Sequence, residues 1–147
     1  MKKIICLSVL FLILIISVYN KGRTTSLTSE LEKYTPRKLV ETYYNCLASG
    51  NIEIAKQCLS DQYFNIKDKS FKSDLQNIKE ITDIKVSKEE KIKLYGNNYD
   101  EVQVVADYYI DYISNEHWTD GKEIRFIYVE KKDKDSPWKI LSFGTGP

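Results

Sequence analysis

Histidine is nearly absent from this chain of 147 residues, with His117 the single copy, and cysteine occurs only three times. That scarcity argues against metal chemistry, because there is no CxxC pair and no second ligand pair at a useful spacing. His117 stands in Asn115-Glu116-His117-Trp118 beside a turn, where a lone exposed imidazole is expected to be inert. No G-x-S-x-G nucleophile signature occurs, and Gly144-Thr145-Gly146 precedes no helix that would aim amides at a phosphate. No cofactor is implied. A surplus of one charge is missing as well. Removing the first 23 residues takes away four of the 22 basic residues and none of the 21 acidic ones, leaving a net charge of −3. Lys85, Lys88, Lys91 and Lys93 do cluster, but Glu89 and Glu90 lie among them. Nucleic acid, which calls for a concentrated basic face, is therefore not an expected partner.

What the chain does have is an uncharged run from Ile4 to Asn20, introduced by Lys2 and Lys3 and closed by Lys21-Gly22-Arg23. Seventeen such residues suit a short membrane span or a secretory signal. The only near small-x-small site is Ile15-Ile16-Ser17, and Cys6 comes too early in the run to be a lipoprotein cysteine. An uncut anchor is favoured, with the N-terminus inside and the domain outside; a cleaved signal and a secreted product is the alternative. The expected organisation is an anchor or signal over 1–23, a tether over 24–34 and one folded domain over 35–147. About 124 residues suffice for a single core.

Thr35-Pro36 opens a helix, since Thr35 can cap free amides and Pro36 at the first position loses no hydrogen bond. Leu39, Val40, Tyr43, Cys46 and Leu47 follow at helical spacing until Gly50 ends the element. A second helix is expected over Ile52 to Leu59, with Ala55, Cys58 and Leu59 on its apolar face. Cys46 and Cys58 would then lie on neighbouring helices, either as a disulfide or as two small buried hydrophobes. Ser60 to Glu80 is weakly patterned, with a helical turn expected near Asp74 to Ile78. From Ile81 the period becomes two: Ile84 and Val86, then Ile92 and Leu94, a turn at Gly96-Asn97-Asn98, and strands over Glu101 to Ile113, Glu123 to Lys132 and Pro137 to Phe143. Eleven tyrosines against one methionine agree with a sheet-rich fold. The fold class read from this order is α+β, with N-terminal helices packed on a curved antiparallel sheet.

The helix-turn segment Tyr43-Tyr44-Asn45-Cys46-Leu47-Ala48-Ser49-Gly50-Asn51 and the closing Pro137-Trp138-Lys139-Ile140 resemble the nuclear transport factor 2-like superfamily. The ending Trp138-Lys139-Ile140-Leu141-Ser142-Phe143-Gly144-Thr145-Gly146-Pro147 is similar to that of an uncharacterised domain family of Firmicutes found in small exported or membrane-tethered proteins. The resemblance implies a cone-shaped half barrel over Thr35 to Pro147 and no particular reaction. That superfamily holds isomerases, dehydratases and cyclases beside non-catalytic binding domains. Homodimerisation through an open sheet face is a fold-level analogy of the same kind.

In such a cone one strand face lines a pocket. On the strand Glu101 to Ile113 the even positions Val102, Val104, Ala106, Tyr108, Ile110 and Tyr112 are apolar and are expected to point inward. Tyr108, Tyr112, Phe126 and Trp138 are the candidate pocket lining. Asp107, Tyr109 and Asp111 resemble in residue type the set that acid/base work requires, and they fall on the odd face. The two aspartates are roughly 13 Å apart along the strand, too far to share a proton. A non-catalytic domain that binds a small ligand or a protein partner is therefore the favoured reading, with an acid/base enzyme as the alternative.

Overall fold

The structure, a computed structural model, describes residues 30–65, 75, 77–92, 100–116 and 118–146. The chain divides into two compact units, 1–30 and 31–147, and the second is the α+β domain described here. The uncharged run 4–20, most of the tether, Asp74, Leu94, the Gly96-Asn97-Asn98 turn and His117 lie outside the described residues.

Helix α1 (Pro36–Ala48) starts where the local chemistry directs. Thr35 is extended, its Oγ1 accepts from the amide of Lys38 at 3.2 Å, and Pro36 fills the first helical position. One face, Leu39, Val40, Tyr43, Tyr44 and Leu47, is buried. At the far end Gly50 has φ +71°, its amide donates to Leu47 O at 3.0 Å and the Asn51 amide donates to Cys46 O at 2.7 Å. This pair of bonds is a Schellman cap. A Cβ on Gly50 would meet no atom within 4 Å, so the requirement for glycine is one of backbone conformation alone. Helix α2 (Ile52–Gln57) follows at once, and α3 (Asp61–Asn65) is a single short turn. No helix among the described residues is long and apolar enough to cross a membrane.

Five strands form an open antiparallel sheet: β1 (Ile78–Val86), β2 (Glu90–Lys91), β3 (Asp100–Tyr112), β4 (Gly121–Lys131) and β5 (Lys139–Gly144). The order is β1-β3-β4-β5, with β2 also paired to β3. Directly opposed residues share a face, so the pairs Val104↔Ile127 and Val102↔Val129 carry the inward set from β3 to β4. Even positions of β3 and odd positions of β4 thus face α1, which packs across β1, β3 and β5. The outer edge of β5 is closed by the segment after α2: Ser60 N donates to Ile140 O and Ile140 N donates to Cys58 O, both at 2.8 Å. That pairing removes one free sheet edge.

Two elements differ from the reading of the sequence. β1 begins at Ile78, earlier than expected, so the helical turn awaited near Asp74 to Ile78 does not reach Ile78. Register shifts between Ile78 and Glu80 and between Thr82 and Lys85, with Asp83 at φ +54°, break the alternation of two. The second difference is α3, which lies in the stretch that carries no clear period.

Candidate functional site

Between α1 and the inner sheet face lies a cleft of about 230 Å³. Five tyrosines line it: Tyr43 and Tyr44 from α1, Tyr63 from α3, and Tyr108 and Tyr112 from β3. Trp118 and Phe143 complete the aromatic wall, Leu47, Ile78, Ile81 and Ile110 supply aliphatic surface, and Arg125 is the one charged residue among the lining. The rings form a chain. Tyr108 and Tyr44 have centroids 4.6 Å apart, Tyr44 and Tyr43 meet edge-on at 5.2 Å, and Phe143 touches Tyr43 at 5.3 Å and Tyr63 at 5.5 Å. Tyr112 and Trp118 form a separate pair at 5.4 Å. Offset and edge-on contacts of this kind hold the rings in place beyond their area of burial.

Trp118 is positioned by the β3–β4 loop. Asp120 accepts from the Tyr112 amide at 2.7 Å and from Asn115 Nδ2 at 3.0 Å, and these bonds hold its carboxyl below the usual carboxylate range. Asn77 brackets Ser114 from the other side, accepting from its amide and donating to its carbonyl.

Polar groups in the cleft form one network. The Tyr44 and Tyr108 hydroxyls are hydrogen-bonded to each other, and the Tyr108 oxygen accepts from the Arg125 guanidinium. Arg125 Nη2 in turn lies 2.5 Å from Glu123 Oε2. Burial pulls Arg125 down, but the Glu123 carboxylate and the Tyr108 phenol more than offset it, so the guanidinium stays charged. Burial pushes the phenols of Tyr43 and Tyr44 well above their ordinary value and raises Tyr108 as well. The three phenols and the guanidinium are therefore hydrogen-bonding groups in their protonated forms at neutral pH. None is a poised general base.

Tyr108 and Tyr112 thus line the cleft. Phe126 and Trp138 do not: Phe126 opposes Val105 on the other face of the sheet, because the inward positions of β4 are the odd ones. Trp138 packs against the core just before β5, with Lys131 Nζ 5.6 Å from its ring centroid. Asp107, Tyr109 and Asp111 lie on the same outer face as Phe126, away from the cleft. There Asp107 meets Lys122 at 3.0 Å, Asp111 meets Lys79 at 4.0 Å and Tyr109 is 47% exposed. Cys46 and Cys58 are both buried, free thiols, and Cys58 Sγ contacts Ile54 O at 3.7 Å. Among the described residues no group of three or more His, Cys, Asp or Glu is placed to hold a metal ion.

The sequence reading missed Tyr43, Tyr44 and Arg125 as site residues. The two tyrosines belong to a face that any buried helix would carry. Arg125 had a signal: it is the charged member of the series Arg125, Ile127, Val129, which proves to be the inward one.

No curated protein and no solved structure significantly matches the chain. A family model matches residues 37–144, from the first turn of α1 to the end of β5, and so takes in both walls of the cleft. The chain belongs to the family of domains of unknown function designated DUF4829.

Proposed function

We propose that this is a non-catalytic binding domain, held outside the cytoplasm by its N-terminal segment, whose aromatic cleft takes a small apolar ligand carrying a hydrogen-bond acceptor. The observation that carries the reading is the lining. It is aromatic and aliphatic apart from phenols, an indole and a guanidinium, all of which donate hydrogen bonds. Tyr44 and Tyr108 share one hydrogen bond, which uses one of their two O–H protons and leaves the other for a ligand acceptor. A cleft of about 230 Å³ is below the roughly 300 Å³ at which drug-sized pockets begin, so one or two rings, or one amphipathic side chain of a peptide, fill it. The Glu123–Arg125 pair is neutral overall, which favours a carbonyl over a second carboxylate. The half barrel of the nuclear transport factor 2-like superfamily, and an origin in Firmicutes, belong to this proposal as its frame.

Trp118 is a built-in reporter, because it lines the cleft while Trp138 does not. Added to the full chain in micelles, 2-acetylnaphthalene is expected to quench Trp118 and to bind about tenfold more tightly than 2-ethylnaphthalene, its near-isostere without an acceptor. Trp118→Phe should abolish the signal. Equal affinity for the two probes, or quenching that survives Trp118→Phe, would contradict the reading. Tethering is tested separately. An epitope at the C-terminus should be removed by protease added to intact cells, and its persistence until lysis would place the domain inside.

A further inference from the structure

We infer that Glu123 sets the charge class of the ligand taken by the aromatic cleft: by occupying the Arg125 guanidinium it holds the cleft to uncharged aromatic ketones, esters or amides and turns away aromatic carboxylates. Glu123 thereby decides between two classes of ligand at the site proposed above, and its role rests on that reading. The inward positions of β4 are the odd ones, and at its start they are Gly121, Glu123 and Arg125. Glu123 stands directly opposite Tyr108, and Arg125 opposite Ala106. Both charged residues are thus on the cleft side of the sheet, roughly 7 Å apart along the strand. Arg125 is among the lining residues and Glu123 is not.

A half-buried guanidinium among aromatic rings is by itself a carboxylate site, because it keeps its charge and its planar fork matches two carboxylate oxygens. Here the place of that carboxylate is already taken. Glu123 Oε2 lies 2.5 Å from Arg125 Nη2, and among the described residues no other carboxylate pairs with Arg125. The two side chains are only 25% and 22% exposed, so water screens the pair in part and the loss of either partner is felt by the other.

An uncharged carbonyl and a carboxylate meet this pair differently. The carbonyl oxygen needs one donor, which the remaining phenol proton or a remaining guanidinium N–H supplies, and it leaves the ion pair intact. A carboxylate must either stand beside Glu123 without a counter-charge of its own, or displace Glu123 and leave that side chain unpaired. Either way a like charge is set against it, which is how a site rejects one of two ligands that share a ring system and a shape. Tyr108 belongs to the same arrangement: burial, and with it the Glu123 charge, raises its phenol, which keeps it a donor.

The probes are 2-acetylnaphthalene and 2-naphthoate, which share a ring system and differ in charge. On the full chain in non-ionic micelles, with free probe concentrations fixed by dialysis, quenching of Trp118 is expected to show the wild type binding the ketone about tenfold or more tightly than the carboxylate. Glu123→Gln should raise the affinity for 2-naphthoate about tenfold while changing that for the ketone by less than about threefold, so that the preference disappears. Adding Arg125→Gln should remove the gain, since the acquired site is the bared guanidinium. Glu123→Ser makes the same loss of charge and carries the same expectations if Glu123→Gln does not fold. Equal wild-type affinity for the two probes, ketone binding intact in a Glu123 variant with no gain of 2-naphthoate, or a gain that survives Arg125→Gln would each overturn this inference and leave ketone binding in the cleft standing. Absence of ketone binding in the wild type would instead overturn the reading of the cleft, and the role of Glu123 with it.

Discussion

Ile127→Ala is expected to remove about 3 kcal/mol of stability, while Ile124→Ala, three residues away on the same strand, changes it by no more than about 0.5 kcal/mol. Ile127 has no exposed surface, and it is held between Val104 of β3 and Phe143 of β5. Truncating it leaves a cavity under α1 that the surrounding strands, fixed by their ladders, can fill only in part. Ile124 opposes Asp107 on the outer face and is 51% exposed, so its truncation removes little buried surface. Against a total of about 5–15 kcal/mol for a domain, the first loss is large. Urea denaturation of the full chain checks this through the midpoints at unchanged slope. Equal losses for the two variants would mean that the faces of β4 are assigned the wrong way round.

That pair of isoleucines also marks the limit of what the sequence discloses about the sheet. β3 is legible because its even positions are uniformly apolar and its odd ones are mostly not. β4 is apolar on both faces, with Ile124, Phe126 and Tyr128 on one and Ile127 and Val129 on the other, so its own pattern cannot say which is core. Only its register against β3, with Val104 opposite Ile127, resolves that, and register is a long-range property. Phe126 was assigned to the pocket for this reason. β1 hides in another way: Ile78, Ile81 and Ile84 recur every third residue, a helical spacing, because two register shifts and the left-handed Asp83 displace the side chains. Helix α1 was readable to its ends, since Thr35, Pro36 and Gly50 act within a few residues of where they stand.

The site follows the same division. Tyr43 reads correctly as part of a buried helix face, whereas Tyr44, next to it and also buried, does not fall in the spacing Leu39, Val40, Tyr43, Cys46 and Leu47. Their role as one wall of a cleft depends on Tyr108, more than sixty positions along the chain. Arg125 becomes a site residue only once β4 is turned with its odd positions inward, which also brings Glu123 and Tyr108 to the guanidinium. Local chemistry thus places the helix, while pairing across strands places the site.

Those buried phenols imply that alkaline pH will unfold the domain steeply. Tyr43 and Tyr44 are held well above the ordinary 10.0 by burial, with neighbouring phenols adding to it. Tyr108 is also raised by burial, although the bonds from Tyr44 and Arg125 work against it. In the unfolded chain all three lose their protons near pH 10, so above that pH the native state binds more protons and stability falls as pH rises. Each phenol contributes about 1.4 kcal/mol per pH unit while only the native form keeps its proton, and the three together contribute about 4 kcal/mol per unit. Their contribution is fully present below pH 10 and is lost as the pH climbs toward the folded values. The Cys58 thiol, pushed by burial from its ordinary 9.0 up to about 12, begins the decline about one unit earlier. For a domain of about 5–15 kcal/mol such a slope is steep enough to place the unfolding transition above pH 10. Ultraviolet absorbance of tyrosinate and circular dichroism, followed together on the full chain, check it. The phenols of Tyr43, Tyr44 and Tyr108 should ionise in a single step together with the loss of the dichroism. Ionisation of every tyrosine near pH 10 in a still-folded protein would contradict the burial of the cleft. Tyr44→Phe sharpens the test, because it removes one of the two most strongly raised phenols while keeping its ring: the slope should fall by about 1.4 kcal/mol per pH unit and the midpoint should move to higher pH.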